Sequence, residues 1–67
     1  MEMKIGDKVK ILEDFLPDHE GKRITRGEII DRQGLFSRGE MWSIRVEMSP
    51  GKYRETMYFA NKLEVEK

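Results

Sequence analysis

The chain predicts an all-β fold: one five-stranded barrel with a long first loop and a short 3-10 turn before the last strand. Three observations carry that expectation. The opening Lys4-Ile5-Gly6-Asp7-Lys8-Val9-Lys10-Ile11-Leu12 passes from a Gly-Asp turn into alternating charged and branched apolar residues. A second glycine-led strand, Arg26-Gly27-Glu28-Ile29-Ile30-Asp31, follows a long polar segment. Farther on, Trp42, Ile44, Val46 and Met48 alternate with Ser43, Arg45 and Glu47, the period of a strand with one buried face.

Taken in order, Val9 and Ile11 share one face of the first strand and Lys8 and Lys10 the other. Asp14 to Arg26 reads as a long loop around Pro17 and Gly21, with Phe15 and Leu16 tucked beneath it. Gly27 lets the second strand enter close against a neighbouring backbone. Gln33-Gly34 and Arg38-Gly39 bracket a shorter second loop. After the third strand, Ser49-Pro50-Gly51-Lys52 has Pro and Gly at the central positions of a type II turn. A hairpin closed there opposes Ile44 to Met57, Trp42 to Phe59, Glu47 to Arg54, Arg45 to Thr56 and Ser43 to Tyr58. In that register Trp42 points into the core and Tyr58 points out. Ala60-Asn61-Lys62 then breaks the alternation as a 3-10 turn, and Leu63-Glu64-Val65 forms the last strand.

Sixty-seven residues make a single domain, residues 1–67. A chain of this size buries only about 60% of the surface its unfolded form exposes, so its stability is a few kcal/mol. No cysteine is present to staple it. No apolar run approaches the roughly 20 residues of a membrane span. The charged start Met1-Glu2-Met3-Lys4 is followed by no signal-peptide core, which predicts a soluble cytoplasmic protein with no membrane contact. The formal net charge is +0, but it is unevenly spread. Residues 1–20 carry three bases against six acids, and residues 21–45 carry six bases against three acids. The middle segment is the one candidate electropositive region.

The first-half pattern Gly6-Asp7-Lys8-Val9-Lys10-Ile11, then Gly21 and Gly27-Glu28-Ile29-Ile30, resembles the KOW motif of ribosomal and transcription-elongation proteins. A second resemblance runs nearly end to end. Lys8 to Leu12, Gly27 to Gly34 and Phe59 to Val65 look like the corresponding blocks of photosystem I reaction-centre subunit IV. That family is an SH3-like barrel that helps dock soluble electron carriers. The matching positions are core and turn positions, while Phe36 to Trp42 departs from the family, so the resemblance implies a shared SH3-like fold without a shared task. Signalling SH3 domains are a poorer match, because the tryptophan pair and aromatic groove of their peptide site are absent.

Little in the chain suggests catalysis. His19 is the only imidazole and has no cysteine near it to complete a zinc or nucleophilic site. Glu13, Asp14, Asp18 and Glu20 lack EF-hand spacing and are interrupted by Pro17, so they read as a solvated acidic loop. A barrel this small is filled by its own side chains. Neither enzyme activity, cofactor, metal nor small-molecule substrate is expected. The leading expectation is a protein–protein docking module or accessory subunit. Its face would comprise Ser43, Arg45, Thr56 and Tyr58 on the outer side of the last hairpin, with Tyr58 beside Arg45 as anchor. The same Tyr also fits plain cross-strand cover of a sheet face. The alternative is a KOW-like RNA- or DNA-binding barrel whose basic rim is Lys22, Arg23, Arg26, Arg32 and Arg38. Each of these bases has an acid within a few residues, which equally describes dispersed solubilising charge.

Overall fold

The computed structural model describes residues 3–66; Met1, Glu2 and Lys67, the ends of the predicted domain, lie outside the described residues. Five antiparallel strands form one sheet: β1 (Lys8–Ile11), β2 (Arg26–Phe36), β3 (Gly39–Ser49), β4 (Lys52–Phe59) and β5 (Leu63–Val65). Their order across the sheet is β4-β3-β2-β1-β5. A 3-10 turn at Ala60–Lys62 joins β4 directly to β5, so three residues link the two edges of the sheet. A flat five-stranded sheet would hold its edges roughly 19 Å apart. Four backbone steps reach at most about 14 Å even when fully extended. The sheet therefore curls, and its concave side holds the core. No helix among the described residues is long and apolar enough to cross a membrane.

The core is Val9, Ile11, Ile24, Ile29, Trp42, Ile44, Val46, Tyr58 and Leu63, with Phe15 and Leu16 packed against it from the first loop. Val9 and Ile11 face inward as their alternation requires, and β1 pairs with both β2 and β5. Gly27 is needed where it stands. A Cβ there would collide with Ile44 Cγ2 and lie 3.0 Å from the Arg45 carbonyl oxygen, so β2 crosses β3 too closely for any side chain. Gly51 takes φ +77° in the Pro50-Gly51 turn, the left-handed conformation that a type II turn demands at this position.

The second loop is not a loop. β2 continues through Gln33-Gly34 to Phe36, and Phe36 pairs with Gly39 across a two-residue turn at Ser37-Arg38. The sequence signals mark irregularities inside the ladder instead. Its register shifts between Ile29 and Asp31 and again between Arg32 and Gly34, where Gly34 takes φ +136°. Bulges of this kind sharpen the local twist and bend a strand.

The last hairpin is in a different register from the one predicted. An irregularity between Glu47 and Ser49 moves the pairing by one residue. Trp42 opposes Tyr58, Ser43 opposes Met57, Ile44 opposes Thr56, Arg45 opposes Glu55 and Glu47 opposes Tyr53. One residue of slip exchanges the faces of β4. Tyr58 turns inward and is 6% exposed, while Met57 turns outward and is 57% exposed.

The first loop carries its own order. Pro17 bridges Arg23, and Ile24 N–H donates to the Leu16 carbonyl at 2.8 Å. Asp18 Oδ1 accepts from the N–H groups of Glu20 at 2.8 Å and Lys22 at 2.9 Å, closing the tip. This is the self-capping turn that a short carboxylate side chain favours.

Candidate functional site

The four residues expected to form one outer face do not share it. Arg45 is exposed on the convex side of β3. Ser43 has the same parity but is buried, and the Gln33 amide donates to its Oγ. Thr56 and Tyr58 lie on the opposite side of β4, toward the core. The Tyr58 hydroxyl donates to the Asp14 carbonyl at 2.7 Å, tying the first loop to the last hairpin. Burial, and then the nearby Asp14 charge, hold the Tyr58 phenol above its ordinary pKa. Tyr58 is a structural residue, and its assignment as the surface anchor is corrected here.

The basic rim is likewise taken apart. Lys22 Nζ lies 3.5 Å from Glu20, Arg26 Nε 2.9 Å from Glu66 and Arg32 Nε 2.7 Å from Glu40. The Arg23 guanidinium sits 4.8 Å from the centroid of the Phe15 ring. Arg26 and Arg38 stand at opposite ends of the eleven-residue β2 and its turn. Of the five, only Arg38 lacks an ion pair or ring contact among the described residues. Two of the acidic loop residues are also engaged, Glu13 with Lys62 of the 3-10 turn at 2.8 Å and Asp18 with backbone N–H groups of its own loop.

What the fold does bring together is a cluster on the convex side where β1, β2, β3 and β4 run side by side. Glu28 Oε1 accepts from Lys8 Nζ at 3.1 Å and from Arg45 Nη2 at 2.9 Å. Arg45 also lies 5.1 Å from the centroid of the Tyr53 ring. The hydrogen bond from Lys8, and then that from Arg45, hold the Glu28 carboxyl below its usual pKa of 4.5. These groups and Arg26 border an open depression of about 280 Å³ with Gly27 in its lining. Tyr53 is 57% exposed, one ring face against Arg45 and the rest open to solvent.

Each position follows from a local cause. The Glu28–Arg45 pairing sets carboxylate against guanidinium across the β2–β3 ladder. The irregularity after Glu47 turns Tyr53 to the convex side, where an unshifted hairpin would have sent it inward. An exposed Tyr beside an Arg does occur on this side, and it is built from Tyr53 rather than Tyr58. The available sequence signal was the Arg45–Glu55 cross-strand charge pair, which only the observed register provides. Set against protein-family models, curated proteins and solved structures, the chain matches none.

Proposed function

We propose that this chain is a non-catalytic SH3-like barrel that docks a protein partner through the convex Arg45–Tyr53 face. The strand order and the three-residue link between the sheet edges support the barrel reading, with the seam lying between β4 and the β1–β5 side. The observation that carries the docking reading is the exposed Tyr53 ring braced by an Arg45 that is itself held by Glu28. Tyrosine and arginine dominate the energetics of protein interfaces. A ring already held in place loses little further freedom on binding.

Nucleic-acid binding is the weaker reading because Lys22, Arg26 and Arg32 are already matched by carboxylates. Phosphate affinity comes chiefly from cations free to displace counterions. Titrating the isotopically labelled protein with RNA or single-stranded DNA at low salt separates the two. Docking predicts unmoved amide resonances at Lys22–Arg26 and Arg32–Arg38. Saturable, salt-sensitive shifts at those residues would replace the docking reading with nucleic-acid binding.

A further inference from the structure

We propose a second interaction surface, distinct from the Arg45–Tyr53 face, through which two copies of this chain form a two-fold dimer: the β2–β3 hairpin tip of each copy seats in the seam groove of the other.

The tip reaches past the rest of the sheet. β4 accompanies β3 only as far as the Met41–Phe59 pair, and beyond it Leu35 and Phe36 are flanked by Glu40 and Gly39 alone. Leu35 is 72% exposed and Phe36 52% exposed. A two-residue turn holds them in a ladder, so little ordering remains to be done on association. Arg32 and Glu40 neutralise each other at the base of the tip. Arg38 in the turn has no acidic partner among the described residues, which leaves the tip one uncompensated positive charge.

The seam groove has the complementary character. It runs between the end of β4 and the first loop, has a volume of about 270 Å³, and takes its apolar lining from Leu16, Met41, Met57 and Phe59, with Asp14 and Lys62 among its polar lining. Met41 and Phe59 are half-buried but stand outside the core cluster, and Met57 is exposed. Glu13 and Asp14 share the single ammonium of Lys62 at its rim, at 2.8 Å and 3.6 Å, leaving one uncompensated negative charge. An apolar tip with a spare cation thus matches an apolar groove with a spare carboxylate.

Topology makes the match intermolecular. The Phe36–Gly39 and Gly34–Met41 pairs keep the ribbon extended, so a tip cannot fold back onto its own groove. Met41 belongs to both the ribbon and the groove, which puts tip and groove within roughly 10 Å of each other along one strand. Two ribbons crossing antiparallel then bring each tip onto the other's groove, the self-complementary arrangement that a two-fold axis requires.

Sedimentation velocity over roughly 10 μM to 1 mM, the range of a weak self-association, tests the dimer. The wild type is expected to shift from monomer to dimer across that range. The double variant Leu35→Ser/Phe36→Ser should remain monomeric while keeping its melting transition, since both side chains are exposed. Arg38→Glu and Glu13→Arg should each weaken the dimer about tenfold, with two charge contacts reversed per dimer. An equimolar mixture of those two variants should regain wild-type dimerisation, because every contact then joins opposite charges. A wild type that stays monomeric at about 1 mM overturns the proposal and leaves the tip to a different occupant. A dimer indifferent to Leu35→Ser/Phe36→Ser, or a mixture that fails to recover, overturns it as well. The docking face is untouched by these substitutions, so either proposal can fail alone.

Discussion

Truncating Tyr58 and Met57, one at a time, separates the two registers of the last hairpin. Tyr58 packs opposite Trp42 in the core, and its hydroxyl donates to the Asp14 carbonyl at 2.7 Å. Removing a large buried aromatic leaves a cavity and costs about 3–5 kcal/mol. Loss of the hydrogen bond adds about 1 kcal/mol, held near that value because exposed Asp14 can turn to water. The total equals or exceeds the few kcal/mol expected of a domain this small, so Tyr58→Ala should abolish the cooperative thermal transition. Met57 is 57% exposed, and Met57→Ala should change stability by no more than about 0.5 kcal/mol. Circular dichroism during heating and urea denaturation reads both. A folded Tyr58→Ala protein beside an unfolded Met57→Ala protein would restore the unshifted register and remove Tyr53 from the convex face.

Trp42→Ala should also unfold the chain, for Trp42 is buried opposite Tyr58; a native melt would place its indole on the surface. Gly27→Ala sets a methyl against Ile44 and the Arg45 carbonyl, an overpacking cost of about 1–3 kcal/mol. That lowers the melting temperature by roughly 4–8 °C per kcal/mol, and an unchanged melt would refute the close crossing. Glu28 has a folded pKa below 4.5, so its pairing contributes stability above that pH and loses it as pH falls through the folded value. NMR titration should show the depression relieved in Lys8→Ala and in Arg45→Ala; no change in either would break the cluster. Tyr58 is shifted the other way, above 10.0, so its contribution is intact below that pH and is lost as pH rises through the higher folded pKa. Tyr58→Phe should remove that alkaline step from the stability profile.

The succession of strands along the chain was legible because β1, β2, β3 and β5 each carry branched apolar residues, whereas β4, Lys52–Phe59, has aromatic and polar residues on both faces. Val9, Ile11, Ile44 and Val46 sit inside as alternation requires, and Pro50-Gly51, Gly27 and Ala60–Lys62 act as their chemistry indicates. Two features were not legible. Gly34 looks the same in a loop and in a bulge, and only pairing partners distinguish them. The irregularity after Glu47 is signalled only by the Arg45–Glu55 charge pair, which the expected register matched with Glu47 opposite Arg54, yet it reverses the faces of Tyr53, Met57 and Tyr58 together. The candidate site suffered most because it depended on the parity of β4. Arg45 is exposed on its expected side because the parity of β3 is fixed independently by Trp42, Ile44 and Val46.

Site-specific crosslinking tests the functional account most directly. A photoreactive phenylalanine analogue replaces Tyr53, and in a parallel sample Glu64 on the far strand β5, in extract of the source cells with and without nuclease treatment. The account predicts a discrete protein crosslink from position 53, lost on Arg45→Glu, and none from position 64. Equal labelling from both positions, or a position-53 adduct that nuclease treatment eliminates, would contradict a protein-docking face at Arg45 and Tyr53.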